Sequence, residues 1–402
     1  MPPIRHVAVI AAALGIACPA QGAQVAGAVP PRDKTLREEL RIGSRDDPVY
    51  ALTYVTNALL THDRFLYVAQ PREQRVRVFD HDGRDIRSLG RQGGGPGEFQ
   101  DISSLGLLGD SVYVIDQRAG RATVYAANGS LAYTFRLPLL PVGRPFSGAQ
   151  PIALLPGSRV LAMPQLESSR LPANHPLSLD LPILMGDREG AVHRVIAHTT
   201  VGSSVLMFRV SGRTIMRTGS AAGRVFGDHR LFRVARDGSS VVLVDRTAAT
   251  RSEYGEFRVT KVSGLTGDTV WSNAYPYRPQ APSDALVENV LGREAESLRR
   301  YYPSLDAARA AVAKVVATPR FLPPVTSLTL GGDGTIWLEQ RDPVQERLSW
   351  TVLDSNGAIV ARVESELWAL RLLAVTGAVL WGAVEDEDDV SYLVRFSVAE
   401  SS

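Results

Sequence analysis

The stretch from Leu105 to Leu137, LGLLGDSVYVIDQRAGRATVYAANGSLAYTFRL, decides how this chain folds. Leu105 to Leu108 is a short apolar segment that meets a tight turn at Gly109-Asp110. Ser111-Val112-Tyr113-Val114-Ile115-Asp116 then runs as a β-branched and aromatic stretch, the pattern of a strand buried on both faces. A polar loop, Gln117 to Gly120, leads to Ala122-Thr123-Val124-Tyr125. Asn128-Gly129 is a strong hairpin-turn signal, and Leu131 to Leu137 returns as the last strand. The result is one sheet of four antiparallel strands joined by hairpins.

The same plan recurs. In the preceding unit Leu66-Tyr67-Val68-Ala69 matches Val112 to Ile115, Arg75 to Asp80 supplies the third strand, and Asp82-Gly83 takes the hairpin. Further second strands read as Val160-Leu161-Ala162, Val241 to Asp245, Ile336-Trp337-Leu338 and Val379-Leu380-Trp381. With Val68, Val114, Leu161, Leu243, Trp337 and Leu380 as markers, the steps are 46, 47, 82, 94 and 43 residues, so the third and fourth carry insertions. Six markers predict an all-β, six-bladed β-propeller over residues 33–400. The last unit offers only three strands: Leu367 to Ala374, Val379 to Val384 and Val390 to Val398. Thr35 to Ile42 is expected to supply the fourth and close the ring, leaving no open edge there.

Gly93-Gly94-Gly95-Pro96-Gly97-Glu98-Phe99, then Val112 to Asp116, Arg121, Val124-Tyr125 and Asn128-Gly129, resembles an NHL repeat. The resemblance covers the first two blades well and the other four only in strand pattern and turns. It implies a secreted bacterial six-bladed propeller of the NHL type. The glycine run lacks the G-x-G-x-x-G spacing of a nucleotide loop and opens no helix.

The blade plan sorts the connections by face. First-to-second and third-to-fourth links lie on one face and are short turns throughout, such as Gly109-Asp110 and Asn128-Gly129. Second-to-third and blade-to-blade links lie on the other. Every long connection belongs to that second class: Pro164 to Asp180, His198 to Asp228 and Ala274 to Pro323. Function is therefore expected on the long-connection face. The largest insertion, within residues 282–318, reads as a helical hairpin between blades four and five. Ser283 caps a first helix carrying Leu286, Val290, Leu291 and Leu298, and Ser304 caps a second carrying Ala308, Val312 and Val315.

Residues 1–23 are expected to be a signal peptide. Arg5 precedes an apolar run from Val7 to Ala17, and small residues follow at Ala20, Gly22 and Ala23. A periplasmic or secreted location follows. Gly15-Ile16-Ala17-Cys18 adds the alternative of a lipid anchor at Cys18. One cysteine excludes an internal disulfide. A net charge of +2 and 7% aromatic residues argue against nucleic acid as a partner.

Arg75, Arg118, Arg121 and Arg144 crowd the long-connection face and are the candidate ligand contacts, suited to a carboxylate or phosphate. Arg75 and Arg121 occupy equivalent blade positions, which equally suits a repeated scaffold contact. The expected role is a binding or scaffold module that recognises an envelope protein segment or an anionic small ligand. The alternative is a calcium-type metal-dependent hydrolase or lyase at the channel mouth, as in six-bladed relatives with a metal on axial Glu, Asp and Asn. No cofactor is expected, and calcium is the ion that this alternative would require. Asn57, Glu98 and Asp101 lie near the inner strands, but no matching set follows in later blades, so no catalytic set carries over. The acidic run Glu385 to Asp389 reads as a solvated turn or a local calcium site, and His175, His198 and His229 as residues of long connections.

Overall fold

A computed structural model describes residues 33–47, 50–143, 146–166, 179–201, 205–210, 213–218, 220–247, 254–388 and 390–400. The expected signal peptide, Cys18, Arg144 and His175 lie outside the described residues. The chain opens with β1 (Asp33–Ile42). Blade one is β2 (Asn57–Leu60), β3 (Leu66–Gln70), β4 (Arg75–Phe79) and β5 (Asp85–Leu89). Blade two is β6 (Ile102–Leu108), β7 (Ser111–Asp116), β8 (Arg121–Tyr125) and β9 (Leu131–Arg136). Blade three is β10 (Phe146–Leu155), β11 (Arg159–Leu166), β12 (Leu179–Asp187) and β13 (Val192–Val201). A separate hairpin, β14 (Val205–Val210) and β15 (Arg213–Thr218), and a short helix, α1 (Ala221–Val225), precede blade four. That blade is β16 (Leu231–Val234), β17 (Ser240–Asp245), β18 (Gly255–Ser263) and β19 (Thr269–Tyr277). Helices α2 (Asp284–Leu298) and α3 (Leu305–Val315) lead to blade five: β20 (Ser327–Leu330), β21 (Ile336–Asp342), β22 (Arg347–Leu353) and β23 (Ile359–Ser365). Blade six is β24 (Arg371–Thr376), β25 (Val379–Glu385) and β26 (Ser391–Glu400), completed by β1.

The protein is a six-bladed β-propeller. All six marker residues fall in second strands and are buried. The physical reason for their unbroken apolar runs is that each sheet is covered on both sides. In β17, Val241 and Leu243 enter the core shared with blade three, while Val242 and Val244 enter the core shared with blade five. Strand periodicity of two thus feeds two different cores. The ring consists of six such inter-blade cores, with blades six and one joined through Ile42, Val55, Val68 and Leu393.

β1 pairs antiparallel with β26 over Lys34–Ile42, as the closure expectation required. It also pairs in parallel with β23, placing Asp33 opposite Arg362 and Thr35 opposite Glu364. Blades five and six therefore form one continuous eight-stranded sheet. This second pairing depends on how the blades are spaced around the ring.

The insertions are more structured than the sequence indicated. β11 runs to Leu166 and β12 begins at Leu179, so the strands of blade three are longer than expected. The connection expected at His198 to Asp228 carries the hairpin β14–β15, whose two runs, VLMFRV and RTIMRT, are separated in the sequence by the turn-favouring pair Ser211-Gly212. Ser283 and Ser304 cap α2 and α3 as expected, each accepting a main-chain N–H through its hydroxyl. The helices bury Val290, Leu298, Ala308 and Val312 against Leu206 and Phe208 of the hairpin and Phe226 beyond α1. Two insertions from different connections thus share a small core of their own. Glu294 of α2, 1% exposed, accepts the Ala222 N–H at 2.9 Å and so ties α2 to the start of α1.

Because Ile42 sits in the closing core, 4% exposed, Ile42→Ala is expected to lower the unfolding free energy by about 2–4 kcal/mol. Removing β1 altogether is expected to lower the melting temperature further and to promote association through the freed β26 edge. Thermal melts with gel filtration check both, and an unchanged melt in the deletion would contradict the closure role.

Candidate functional site

Six inner strands surround the axis, and all begin at the face of the long connections. Their inner edges have no strand neighbour, so their main-chain groups must find other partners. A pocket of about 330 Å³ occupies the axis. Its lining draws on all six inner strands or their ends, with Asn57, Ser104, Ile152, Arg233, Ser327 and Arg371 as one contribution from each. Among the described residues the charged ones in the lining are Arg233, Arg236 and Arg371, with no carboxylate among them.

Arg236 forms the floor. It follows β16 of blade four, yet its guanidinium donates to the carbonyl of Ala58 at 2.7 Å and of Leu105 at 3.3 Å. Its own carbonyl accepts the Leu107 N–H at 2.7 Å. Blade four stands opposite blade one in a six-membered ring, so Arg236 bolts the ring across its axis. Below it lies a separate space of about 50 Å³, which Arg236 also lines. Arg236 therefore stands between the axial pocket and the smaller space on the short-turn side. Burial lowers the Arg236 pKa to about 10, with Arg233 adding to the fall and Tyr113 opposing it; the group remains charged at neutral pH. Tyr113 lines the wall, and burial pushes its hydroxyl up to about 12. Its ring fits only because residue 106 is glycine: a Cβ there would stand 2.2 Å from the Tyr113 hydroxyl.

Arg233 is exposed within the pocket but surrounded by protein. That loss of solvation lowers its pKa, and the charge of Glu339 opposes the shift. Glu339 is itself engaged by Arg341 at 2.8 Å and by the Thr326 hydroxyl at 2.9 Å. One N–H of Arg233 donates to the Phe232 carbonyl at 3.0 Å, which leaves most of its five donors available. Arg371 donates to the Val55 carbonyl at the upper end of the pocket. Guanidiniums held with part of their fork unused, beside Asn57, Thr56, Ser104 and Ser327, make a site for a hydroxylated anion.

Of the arginines singled out from the sequence, Arg75, Arg118 and Arg121 lie elsewhere, and Arg144 is outside the described residues. Arg121 donates to the carbonyls of Gly94, at 2.7 Å, and Glu98, and so pins the glycine-rich loop. Arg75 pairs with Glu73. Arg118 is exposed on the loop between β7 and β8. None of the three lines the axial pocket. The equivalent blade positions of Arg75 and Arg121 thus reflect local scaffold contacts, whereas Arg233, Arg236 and Arg371 converge from inner strands that carry no mutual sequence signal. Of the axial metal candidates, only Asn57 lines the pocket. Glu98 accepts the Gly95 N–H at 2.7 Å and pairs with Arg91, which holds its carboxyl below the usual range.

The described residues at the axis do not fit a divalent cation: the charged groups among them are guanidiniums, with no carboxylate. Among the described residues no three His, Cys, Asp or Glu side chains form a metal cradle. In the acidic run, Asp386 accepts the N–H groups of Asp388 and Val390 at 3.0 and 2.9 Å, closing the turn on itself. His198 pairs with Asp180 at 2.5 Å, and His229 accepts from Arg246. Arg246, 1% exposed, also donates to the carbonyls of His229 and Val325 at 2.9 and 2.8 Å. It joins the ends of the two long connections that flank blade four.

Residues 51–147 match a family model described as a 6-bladed beta-propeller. No curated protein matches the chain. Among solved structures, the chain is similar to a protein from Bacteroides fragilis described as exported, with a TM-score of 0.42 and 11% identity, covering 91% of this chain and 96% of that one. It is also similar to virginiamycin B lyase from Staphylococcus aureus, with a TM-score of 0.42 and 9% identity over 90% and 99% of the two chains. Regucalcin from Agrobacterium tumefaciens, described as calcium-binding, gives a TM-score of 0.38 and 10% identity over 92% and 97%.

Arg236→Met is expected to cost on the order of 2 kcal/mol, because two buried carbonyls lose their donor; urea unfolding checks this. The second expectation concerns pH. Burial, with a smaller push from Arg246, lowers the His229 pKa from 6.5 to about 4. The unfolded chain therefore binds the extra proton first, and stability falls as pH drops from about 6.5 toward 4. His229→Gln is expected to flatten that part of the stability–pH curve; equal slopes in both proteins would contradict it.

Proposed function

We propose that this chain is an exported NHL-type propeller that binds an anionic, hydroxyl-bearing small molecule in its axial pocket, entering from the long-connection face. The observation that carries the reading is the charge of that pocket: among the described residues Arg233, Arg236 and Arg371 line it without a carboxylate. Cations held in a low-dielectric wall repel one another, and an anion relieves the repulsion. Serine, threonine and asparagine groups around them supply donors and acceptors for hydroxyls. The volume, about 330 Å³, lies at the lower end of the range for small-molecule sites, about 300–1,000 Å³. Export rests on the order of charge, apolar run and small residues over residues 1–23. The donor set does not support the metal-dependent hydrolase or lyase, since it favours anions over divalent cations.

Thermal shift followed by calorimetry tests the reading, using inorganic phosphate, citrate, glucose 6-phosphate and glucuronate as probes. At least one is expected to raise the melting temperature, with affinity falling with salt. Arg233→Ala and Arg371→Ala are each expected to weaken it at least tenfold, and Arg233→Lys less. No stabilisation by any probe, or binding indifferent to both alanine variants, would overturn the proposal.

A further inference from the structure

A second cavity, about 820 Å³, lies between blades four and five, away from the axis. One wall is β18 and β19; the other is β21, β22 and β23. Toward the short-turn face it is sealed by hydrogen bonds between blades. Trp271 Nε1 donates to the Ser355 carbonyl at 2.8 Å, and the Tyr275 hydroxyl donates to the Gly357 carbonyl at 2.6 Å. The cleft is therefore open outward and toward the long connections.

Its charges do not balance. Among the described residues, four arginines and two carboxylates line it. Arg347 pairs with Glu364, and Asp342 accepts from Gln280 at 2.8 Å and from two main-chain N–H groups. Arg341 is spent on Glu339 and on the carbonyls of Trp368 and Leu370 at 2.5 and 2.9 Å. Arg278, just beyond β19, and Arg362, within β23, are exposed and have no partner among the described residues. They belong to opposite walls. Tyr254, 57% exposed and donating its hydroxyl to Glu256 at 3.0 Å, and the buried Phe257 and Tyr275 complete the aromatic part of the lining.

The cleft also borders a strand edge. β19 is the outermost strand of blade four and pairs only with β18. Pro276 within it, which lines the cleft, is tolerated on an edge strand because it has no N–H to pair, so the main-chain donors of that edge come from its neighbours. The corresponding edge of blade five is covered in this molecule, by β1 running parallel to β23. No strand among the described residues covers β19. We propose that the cleft takes an extended acidic peptide segment of a partner protein, added beside β19. Main-chain hydrogen bonds to the edge would hold it, with alternate side chains entering the cleft. Carboxylates on those side chains meet the forks of Arg278 and Arg362. The charge excess selects an acidic segment, and the strand edge selects a peptide over a sugar acid. The site shares no residue with the axial pocket, so it stands or falls separately from it.

The test is selection of displayed random nonapeptides on the purified protein, followed by fluorescence anisotropy of the enriched peptides. Enriched sequences are expected to alternate acidic and apolar residues. Arg278→Ala with Arg362→Ala should weaken them at least tenfold, while Arg233→Ala leaves them within twofold. Both arginines are exposed, so an unchanged melting temperature confirms that the double variant is folded. N-methylation at alternate peptide nitrogens should abolish binding in one register only. Failure to enrich acidic sequences, retention of binding by the double variant, or binding of oligogalacturonate there in place of peptides would overturn the proposal.

Discussion

Each blade is a sheet with two apolar faces and no means of covering either alone. Everything else in the molecule follows from that constraint. Sequence runs such as Val241-Val242-Leu243-Val244 can be buried only if neighbours stand on both sides, and a row of such sheets is finished only when it closes into a ring. Closure in turn requires a strand from the start of the chain to complete its end, which is what β1 does on β26. The additional parallel pairing with β23 extends the seam, so the point where the ring is joined contains the longest continuous sheet.

Closing the ring creates a second problem at its centre. Six inner strand edges face one another with unpaired main-chain groups, and the protein answers with arginines. Arg236 spans from blade four to carbonyls of blades one and two, and Arg371 reaches the Val55 carbonyl. These contacts stabilise the hub while concentrating positive charge there. The candidate binding site is thus a by-product of the same hydrogen-bond bookkeeping that holds the ring together. Arg233 is the member of the set that spends least on the scaffold, which makes it the residue best placed to meet a ligand.

The long connections on one face form their own layer. Hairpin β14–β15, α1, α2 and α3 share a core, and Arg246 joins His229 to the Val325 carbonyl at the ends of the connections that flank blade four. The unequal filling around the ring leaves the cleft between blades four and five open above its sealed lower end.

Blade number, strand order, the closing strand and the capped helices were legible because they rest on local rules: unbroken apolar runs, Asn-Gly and Asp-Gly turns, and Ser283 and Ser304 as caps. The face carrying the insertions was legible too, since blade topology assigns each connection to a side. The site was not. Arg121 is a candidate contact on that face, and its guanidinium also holds the carbonyls of Gly94 and Glu98. Arg233, Arg236 and Arg371 have no common motif or spacing, and they meet only because ring closure brings blades four and six to one axis. Local chemistry in the chain therefore determined the blades and their order. Which charges converge, and on which cavity, was decided by the tertiary structure, because convergence across a ring is a relation between strands far apart in sequence.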